Sequence, residues 1–151
     1  MWRSSVSVGL FAADGRFIAE IGQERRTLVK LADIPPHVRD AFLVIEDKRF
    51  YSHGGIDFFR AFGAAFANFR AGGVVQGSST ITMQLARNLF PERLDARDRG
   101  LTRKLREMKV ARAIESKYSK DRILELYLNQ IAFGSGAFGV ETASQRYFGK
   151  S

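Results

Sequence analysis

The chain has no cysteine, which excludes disulfides, thiolate catalysis and cysteine-ligated zinc and leaves the redox compartment open. Only two histidines occur, His37 and His53, so a histidine-rich metal site is excluded as well. Carboxylates remain the available protein ligands for a hard cation. Acidic residues are in deficit, 16 against 24 basic ones, for a net charge of +8. A field of that sign attracts polyanions: nucleic acid, anionic lipid or pyrophosphate. No window approaches the ~20 apolar residues of a membrane span. The start, Met-Trp-Arg-Ser-Ser-Val-Ser-Val-Gly-Leu, has too short an apolar run before Asp14 to read as a signal peptide. No internal repeat or low-complexity segment stands out.

What is present is ample for a core. The 151 residues fit one domain of roughly 100–200 residues, and a hydrophobic fraction of 45% with 13 Phe argues against disorder. Residues 5–30 read as β: Val6, Val8 and Leu10 alternate, Asp14-Gly15 is a hairpin turn signal, and Phe17, Ile18 and Ile21 resume the pattern. Pro35-Pro36 opens a helix running to about Asp47, with Val38, Ala41, Phe42 and Ile45 as an apolar stripe. Phe58, Phe59, Phe62, Phe66 and Phe69 form an aromatic stripe on a second helix, ended by the loop 71–79. A third helix runs from near Thr80 to Pro91, and a charged connector covers 91–100. A fourth, 101–117, puts Leu101, Leu105, Met108 and Ile114 on one face. Ser119 caps a fifth, whose buried stripe is Ile123, Leu124, Tyr127, Leu128 and Ile131, and a short helix at 140–148 ends the chain. The fold class is mainly α with a small N-terminal β-hairpin.

Four strings carry chemistry. In Ile-Glu-Asp-Lys-Arg-Phe-Tyr-Ser-His-Gly-Gly-Ile-Asp (45–57), Glu46 closes a helix beside a His–Gly–Gly turn. It is either a proton acceptor or an ordinary helix-end acid paired with Lys48 or Arg49. In Gly-Ser-Ser-Thr-Ile-Thr-Met-Gln-Leu-Ala-Arg-Asn (77–88), Thr80, Gln84, Arg87 and Asn88 fall on one polar face. That is either an anion site at a hydroxyl-rich helix N-terminus with free amides or a capped surface helix. Arg103, Lys104 and Glu107 share a face at i, i+3 and i+4 spacing, forming either a solvated ion-pair face or a carboxylate held in a cationic patch. In 120–141, Glu125 and Asn129 read as buried hydrogen-bonding groups that orient neighbouring elements.

In this order the strings resemble the peptidoglycan glycosyltransferase domain (glycosyltransferase family 51) of class A penicillin-binding proteins. Glu46, Asp47, Phe50, His53 and Gly55 match its Glu-Asp-x-x-Phe-x-x-His-x-Gly motif. Gly77, Ser79 to Thr82 and Gln84 match Gly-x-Ser-Thr-Ile-Thr-x-Gln, and Arg103, Lys104 and Glu107 match Arg-Lys-x-x-Glu. Ile123-Leu-Glu-x-Tyr-Leu-Asn129 fits the fourth motif, and Tyr147-Phe-Gly-Lys150 is similar to the start of the fifth. The resemblance runs from about residue 8 to the end, and the four strings together outweigh the plain reading of each. Two departures stand out: Arg87 replaces a common Lys, and the family domain continues past Ser151. The resemblance implies a β segment at 1–34 and a lysozyme-like helical glycosyltransferase domain at 35–151, truncated at its C-terminus.

It also implies a reaction. Lipid II is joined into β-1,4-linked glycan strands with inversion and release of undecaprenyl pyrophosphate. By resemblance Glu46 is the base and Glu107 the second catalytic carboxylate, positioning the neighbouring bases or a divalent cation, magnesium or manganese, with no organic cofactor. Arg103, Lys104 and Arg87 would contact the pyrophosphate. Ser79, Thr80, Gln84 and Asn88 would bind donor phosphate or sugar, while Asp47, Phe50 and His53 support the turn. The implied partners are lipid II, the growing strand, the membrane surface and a fused transpeptidase domain, on the outer side of the bacterial inner membrane. The Phe stripe reads either as core or as a jaw dipping into the bilayer. A lysozyme-like hydrolase is the first rival, although cutting neutral glycosidic bonds needs no cationic patch. A basic nucleic-acid module is the second, and no helix-turn-helix, zinc or RNP pattern supports it.

Overall fold

The computed structural model describes residues 8–11, 17–21, 25–73, 77–94 and 100–151; the side chains of residues 8–26 and of Leu101 lie outside that description. Among the described residues are six α-helices: α1 (Pro36–Glu46), α2 (Phe58–Ala71), α3 (Ile81–Leu89), α4 (Leu101–Glu115), α5 (Lys120–Gln130) and α6 (Val140–Phe148). Strands β1 (Val8–Phe11) and β2 (Phe17–Ile21) form the antiparallel hairpin expected, with Val8 opposite Ile21. Its Asp14-Gly15 turn lies outside the described residues, as does the DGR segment at 14–16. The helix starts follow local chemistry. Pro36 opens α1, where a missing N–H costs nothing. Asp57 accepts from the Arg60 amide at 3.0 Å, Thr80 Oγ1 from the Met83 amide at 3.2 Å, and Ser119 Oγ from the Arg122 amide at 3.3 Å.

The chain divides into two units. One takes in Met1–Val29 with Leu128–Ser151. There β3 (Arg25–Arg26) pairs in parallel with β4 (Ala137–Phe138). The Val29 amide donates to Asn129 Oδ1 at 2.9 Å, Asn129 Nδ2 donates back to the Val29 carbonyl at 2.8 Å, and the Thr27 amide donates to Thr142 Oγ1 at 2.8 Å. Asn129 thus ties the two segments of this unit together, as its expected orienting role requires. The other unit, Lys30–Tyr127, contains every candidate site residue. Its core is built from Leu31, Phe50, Ile81, Met83, Leu85, Ala111, Ile114, Ile123, Leu124 and Tyr127. Glu125 serves here, accepting from the Leu31 amide at 2.9 Å.

Three apolar patterns are not buried as expected. No residue of α1 is buried, and Ile45 is 74% exposed. What anchors the end of α1 lies just beyond it, in the wholly buried Asp47 and Phe50. On α4, Leu105 is 65% exposed and Met108 half-buried, while Glu107, Ala111 and Ile114 are buried. A compensated carboxylate therefore replaces leucine on the inner face of α4. On α2 all five Phe are exposed and Ala64 alone is buried, which removes the core reading of the stripe. Periodicity identifies a helix with an apolar face; it does not say what covers that face.

The His–Gly–Gly turn shows why its second glycine is required. Gly55 has φ +88°, and a Cβ there would lie 3.1–3.2 Å from Glu115 Cγ and the Ala111 backbone. Its carbonyl accepts from the buried Thr80 hydroxyl at 2.7 Å, so the turn is clamped between α3 and α4. We expect Gly55→Ala to cost about 1–3 kcal/mol in chemical denaturation, from left-handed strain and overlap. At Gly54 a Cβ meets nothing within 4 Å and φ is not positive, so Gly54→Ala should shift stability by less than about 0.5 kcal/mol.

Candidate active site

Asp47 sits at the hub. Both its oxygens accept from His53 Nε2, at 2.9 and 3.0 Å, and its Oδ2 also accepts from the Ile81 amide at 3.1 Å. His53 Nδ1 in turn accepts from the Gly55 amide at 3.2 Å, which assigns the imidazole proton to Nε2. Phe50 packs edge-on against the His53 ring. The end of α1, the turn and the start of α3 are thereby one hydrogen-bonded assembly. The consequence for α3 is a correction to the sequence reading. Asp47 and Thr80 take up the Ile81 and Met83 amides, so the N-terminus is not a set of free amides awaiting an anion. Thr80 is wholly buried with its hydroxyl engaged on both sides, as a cap of α3.

Adjacent to that hub, Glu46 is half-buried. Its Oε2 accepts from Gln84 Nε2 at 2.7 Å; its other oxygen accepts no hydrogen bond among the described residues. Its backbone carbonyl accepts from Arg60 Nη1, so neither Lys48 nor Arg49 is its partner; Arg49 pairs with Asp57 at 3.5 Å. Gln84 Oε1 accepts from the Tyr127 hydroxyl at 3.3 Å. Burial, and next the Glu46 charge, hold that hydroxyl well above the usual phenol range, so it stays protonated.

One turn along α3, about 4.5 Å at 1.5 Å per residue, Arg87 reaches the second carboxylate. Glu107 is 0% exposed; its Oε1 accepts from Arg103 and, at 3.3 Å, from Arg87, and its Oε2 lies 3.8 Å from Lys104 Nζ. That second oxygen is buried with no hydrogen bond among the described residues. Lys104 also donates to Ser79 Oγ at 2.8 Å. Burial lowers the Lys104 pKa; Glu107 pulls it back up, while Arg87, Arg103 and Arg60 depress it further. Three cations thus crowd one buried carboxylate, and the surplus positive charge suits a doubly phosphorylated ligand. Asn88 stands exposed near the end of α3 and joins neither group of hydrogen bonds among the described residues.

A metal test gives a different answer from the sequence. The donor set at Glu107 does not fit a protein-held divalent cation, since its neighbours are cationic and the carboxylate is already paired. Among the described residues the grouping with ligand spacing is Asp47, His53 and Asp57, within 4.8 Å of one another. Those atoms are engaged with N–H donors, Asp57 with the Arg60 amide and Arg49, and they order the turn. The residues missed by sequence reasoning are Arg60 and Tyr127. Arg60 stands out only as a lone base within the Phe stripe, and Tyr127 only as a hydroxyl inside an apolar one.

A family model described as Transglycosylase matches residues 14–151. The chain belongs to the transglycosylase family, glycosyltransferase family 51. It is 48% identical over 149 residues to penicillin-binding protein 1A of Aquifex aeolicus (strain VF5), covering 99% of this chain and 20% of that protein. It is 46% identical over 151 residues to penicillin-binding protein 1A of Escherichia coli (strain K12), covering 99% and 17%. To penicillin-binding protein 1F of Bacillus subtilis (strain 168) it is 44% identical over 137 residues, covering 91% and 19%. The chain therefore spans a fifth or less of the length of these transglycosylase relatives.

The cationic cluster generates a paired prediction. Lys104 carries its charge at a cost that is present at neutral pH and relieved only as pH rises toward the ordinary value of 10.5. Lys104→Met should therefore raise or preserve the melting temperature at pH 7 while weakening the binding of an anionic substrate. Glu107→Gln leaves the cations without their counter-charge and should lower stability by about 3 kcal/mol, measured by urea denaturation.

Proposed function

We propose that this chain is a peptidoglycan glycosyltransferase domain that polymerises lipid II for bacterial cell-wall synthesis. The observation that carries this reading is the unequal environment of two carboxylates served by one helix face. Glu46 is half-buried, held by a neutral amide and open at one oxygen; Glu107 is sealed beneath cations. The first can take a proton from a sugar hydroxyl. The second acts through Arg87, Arg103 and Lys104, and is a positioning residue.

In the reaction, the 4-hydroxyl of lipid II attacks the anomeric carbon of the growing strand. A β-1,4 C–O bond forms there as the anomeric C–O bond to pyrophosphate breaks on the opposite face. The hydroxyl proton passes to Glu46, and the bonding electron pair leaves with undecaprenyl pyrophosphate. Arg103 and Arg87 each offer a fork of N–H donors to that leaving group, and Lys104 a point charge. Ser79, already bonded to Lys104, lies within the same cluster as a contact for the donor phosphate. No step is routed through a protein-held metal. A hydrolase of neutral glycosidic bonds would have no use for this cluster. The longer penicillin-binding relatives support a fused transpeptidase domain in the full protein.

Phe58, Phe59, Phe62, Phe66 and Phe69 on α2, with Val44 and Ile45 on α1, are all exposed. No described helix is long and apolar enough to cross a membrane. This surface supports α2 lying on the outer face of the bacterial inner membrane, where lipid II presents its head group. Phe62→Ser with Phe66→Ser should reduce vesicle binding by more than about tenfold, at about 1.5–3 kcal/mol per buried Phe, without lowering the melting temperature.

Polymerisation of labelled lipid II tests the main reading, in this chain and in the full-length protein that carries it. Glycan strands are expected from the native sequence, and a loss of about 100-fold or more from Glu46→Gln if general-base catalysis is removed. Full activity in Glu46→Gln would overturn the assignment of the base.

A further inference from the structure

Tyr127 looks like a packing residue. It is 0% exposed and meets Phe42 edge-on at 6.3 Å. Yet its hydroxyl is buried too, and a buried O–H must find an acceptor. Among the described residues its acceptor is Gln84 Oε1, at 3.3 Å. That bond decides which end of the Gln84 amide faces the carboxylate. With Oε1 turned to Tyr127, Nε2 is turned to Glu46 Oε2 at 2.7 Å.

We infer that Tyr127 is a positioning residue that locks the Gln84 amide with its nitrogen toward Glu46, so that the carboxylate meets a donor and stays ready to accept a proton. This rests on the reading of Glu46 as the base. The two orientations of the amide are chemically opposite. An N–H pairs with the ionised carboxylate; a carbonyl in the same place can pair only with the protonated acid. A half-turn of one amide would therefore convert a base into an acid without moving any backbone atom. The raised pKa of the Tyr127 hydroxyl keeps it a donor across the working range. The other groups around Glu46 cannot supply this selection. Arg60 from α2 binds its backbone carbonyl, Asp47 in its own turn is held by His53, Arg87 on α3 is paired with Glu107, and α4 contributes Arg103 and Lys104 to that same pair.

The test is the protonation state of Glu46 in Tyr127→Phe, read in two ways. The first follows the Glu46 carboxyl carbon by 13C NMR in this chain as pH is varied, and needs no turnover. The second is the pH–rate profile of lipid II polymerisation. In Tyr127→Phe, both the carboxyl titration and the acidic limb should move up by about one pH unit, the size expected for losing a charge-assisted hydrogen bond. KM should be unchanged, and the rates should converge at alkaline pH. Tyr127→4-aminophenylalanine keeps a donor and the ring, and should restore the native profile; it also serves if Tyr127→Phe fails to fold. In a Gln84→Met background, Tyr127→Phe should add no further shift. An unmoved titration in Tyr127→Phe, or a rate loss equal at every pH, overturns the inference. If Glu46→Gln stays fully active the base reading falls separately, and the NMR titration still decides whether Tyr127 orients the amide.

Discussion

The buried carboxylate of Asp47 is the constraint on which the rest of this site depends. It accepts from the His53 ring six residues on and from the first amide of α3, 34 residues on, so the end of α1, the turn and α3 share one carboxylate. Glu46 precedes it by one residue, at the last position of α1, and its place relative to α3 follows from that adjacency. Without the Asp47 bridge, Gln84 would have no fixed distance to Glu46. A wholly buried acid is costly unless its oxygens are satisfied, and here three donor contacts offset that cost. The same bonds that make Asp47 tolerable hold Glu46 stationary.

The second carboxylate follows an opposite logic. Glu107 has several cations for one charge, and among the described residues one of its oxygens has no hydrogen bond. Left to folding alone, that arrangement is poor: burial first, and then repulsion from Arg87, Arg103 and Arg60 against the pull of Glu107, depresses the Lys104 pKa. It becomes favourable when a ligand brings its own negative charge. Stability is thus held back where binding needs surplus positive charge, as expected of sites organised for a reaction.

The local part of this was legible in the sequence. Helix spacing puts Arg103 and Lys104 within reach of Glu107 whatever the fold, and the order of four strings identifies Glu46. Caps at Thr80 and Ser119 are one-turn chemistry. What was not legible depends on contacts far apart along the chain. Tyr127 meets Gln84 across 43 residues, and Thr80 meets the Gly55 carbonyl across 25. No window of sequence contains both partners, so Thr80 read as an open hydroxyl and Tyr127 as filler. The apolar stripes of α1 and α2 were legible as stripes but not as surfaces. Leucine, phenylalanine and isoleucine make the same pattern whether protein, lipid or water lies opposite.

Arg60 joins these observations. It belongs to α2, the helix whose Phe residues stand exposed, and its guanidinium donates to the carbonyl of Glu46. Asp57 caps the same helix and pairs with Arg49 from the turn. One helix therefore carries an apolar face on one side and a tether to the candidate base on the other. A helix with its side chains is only about 10–12 Å across. For a substrate with a tail in the bilayer and a sugar at its surface, that is the separation to be spanned. A helix resting on lipid by its Phe face would hold Glu46 at head-group height through the Arg60 hydrogen bond. Placing Glu46 at a fixed depth would then be a consequence of which residues share α2, Arg60 and the phenylalanines on opposite sides of one helix.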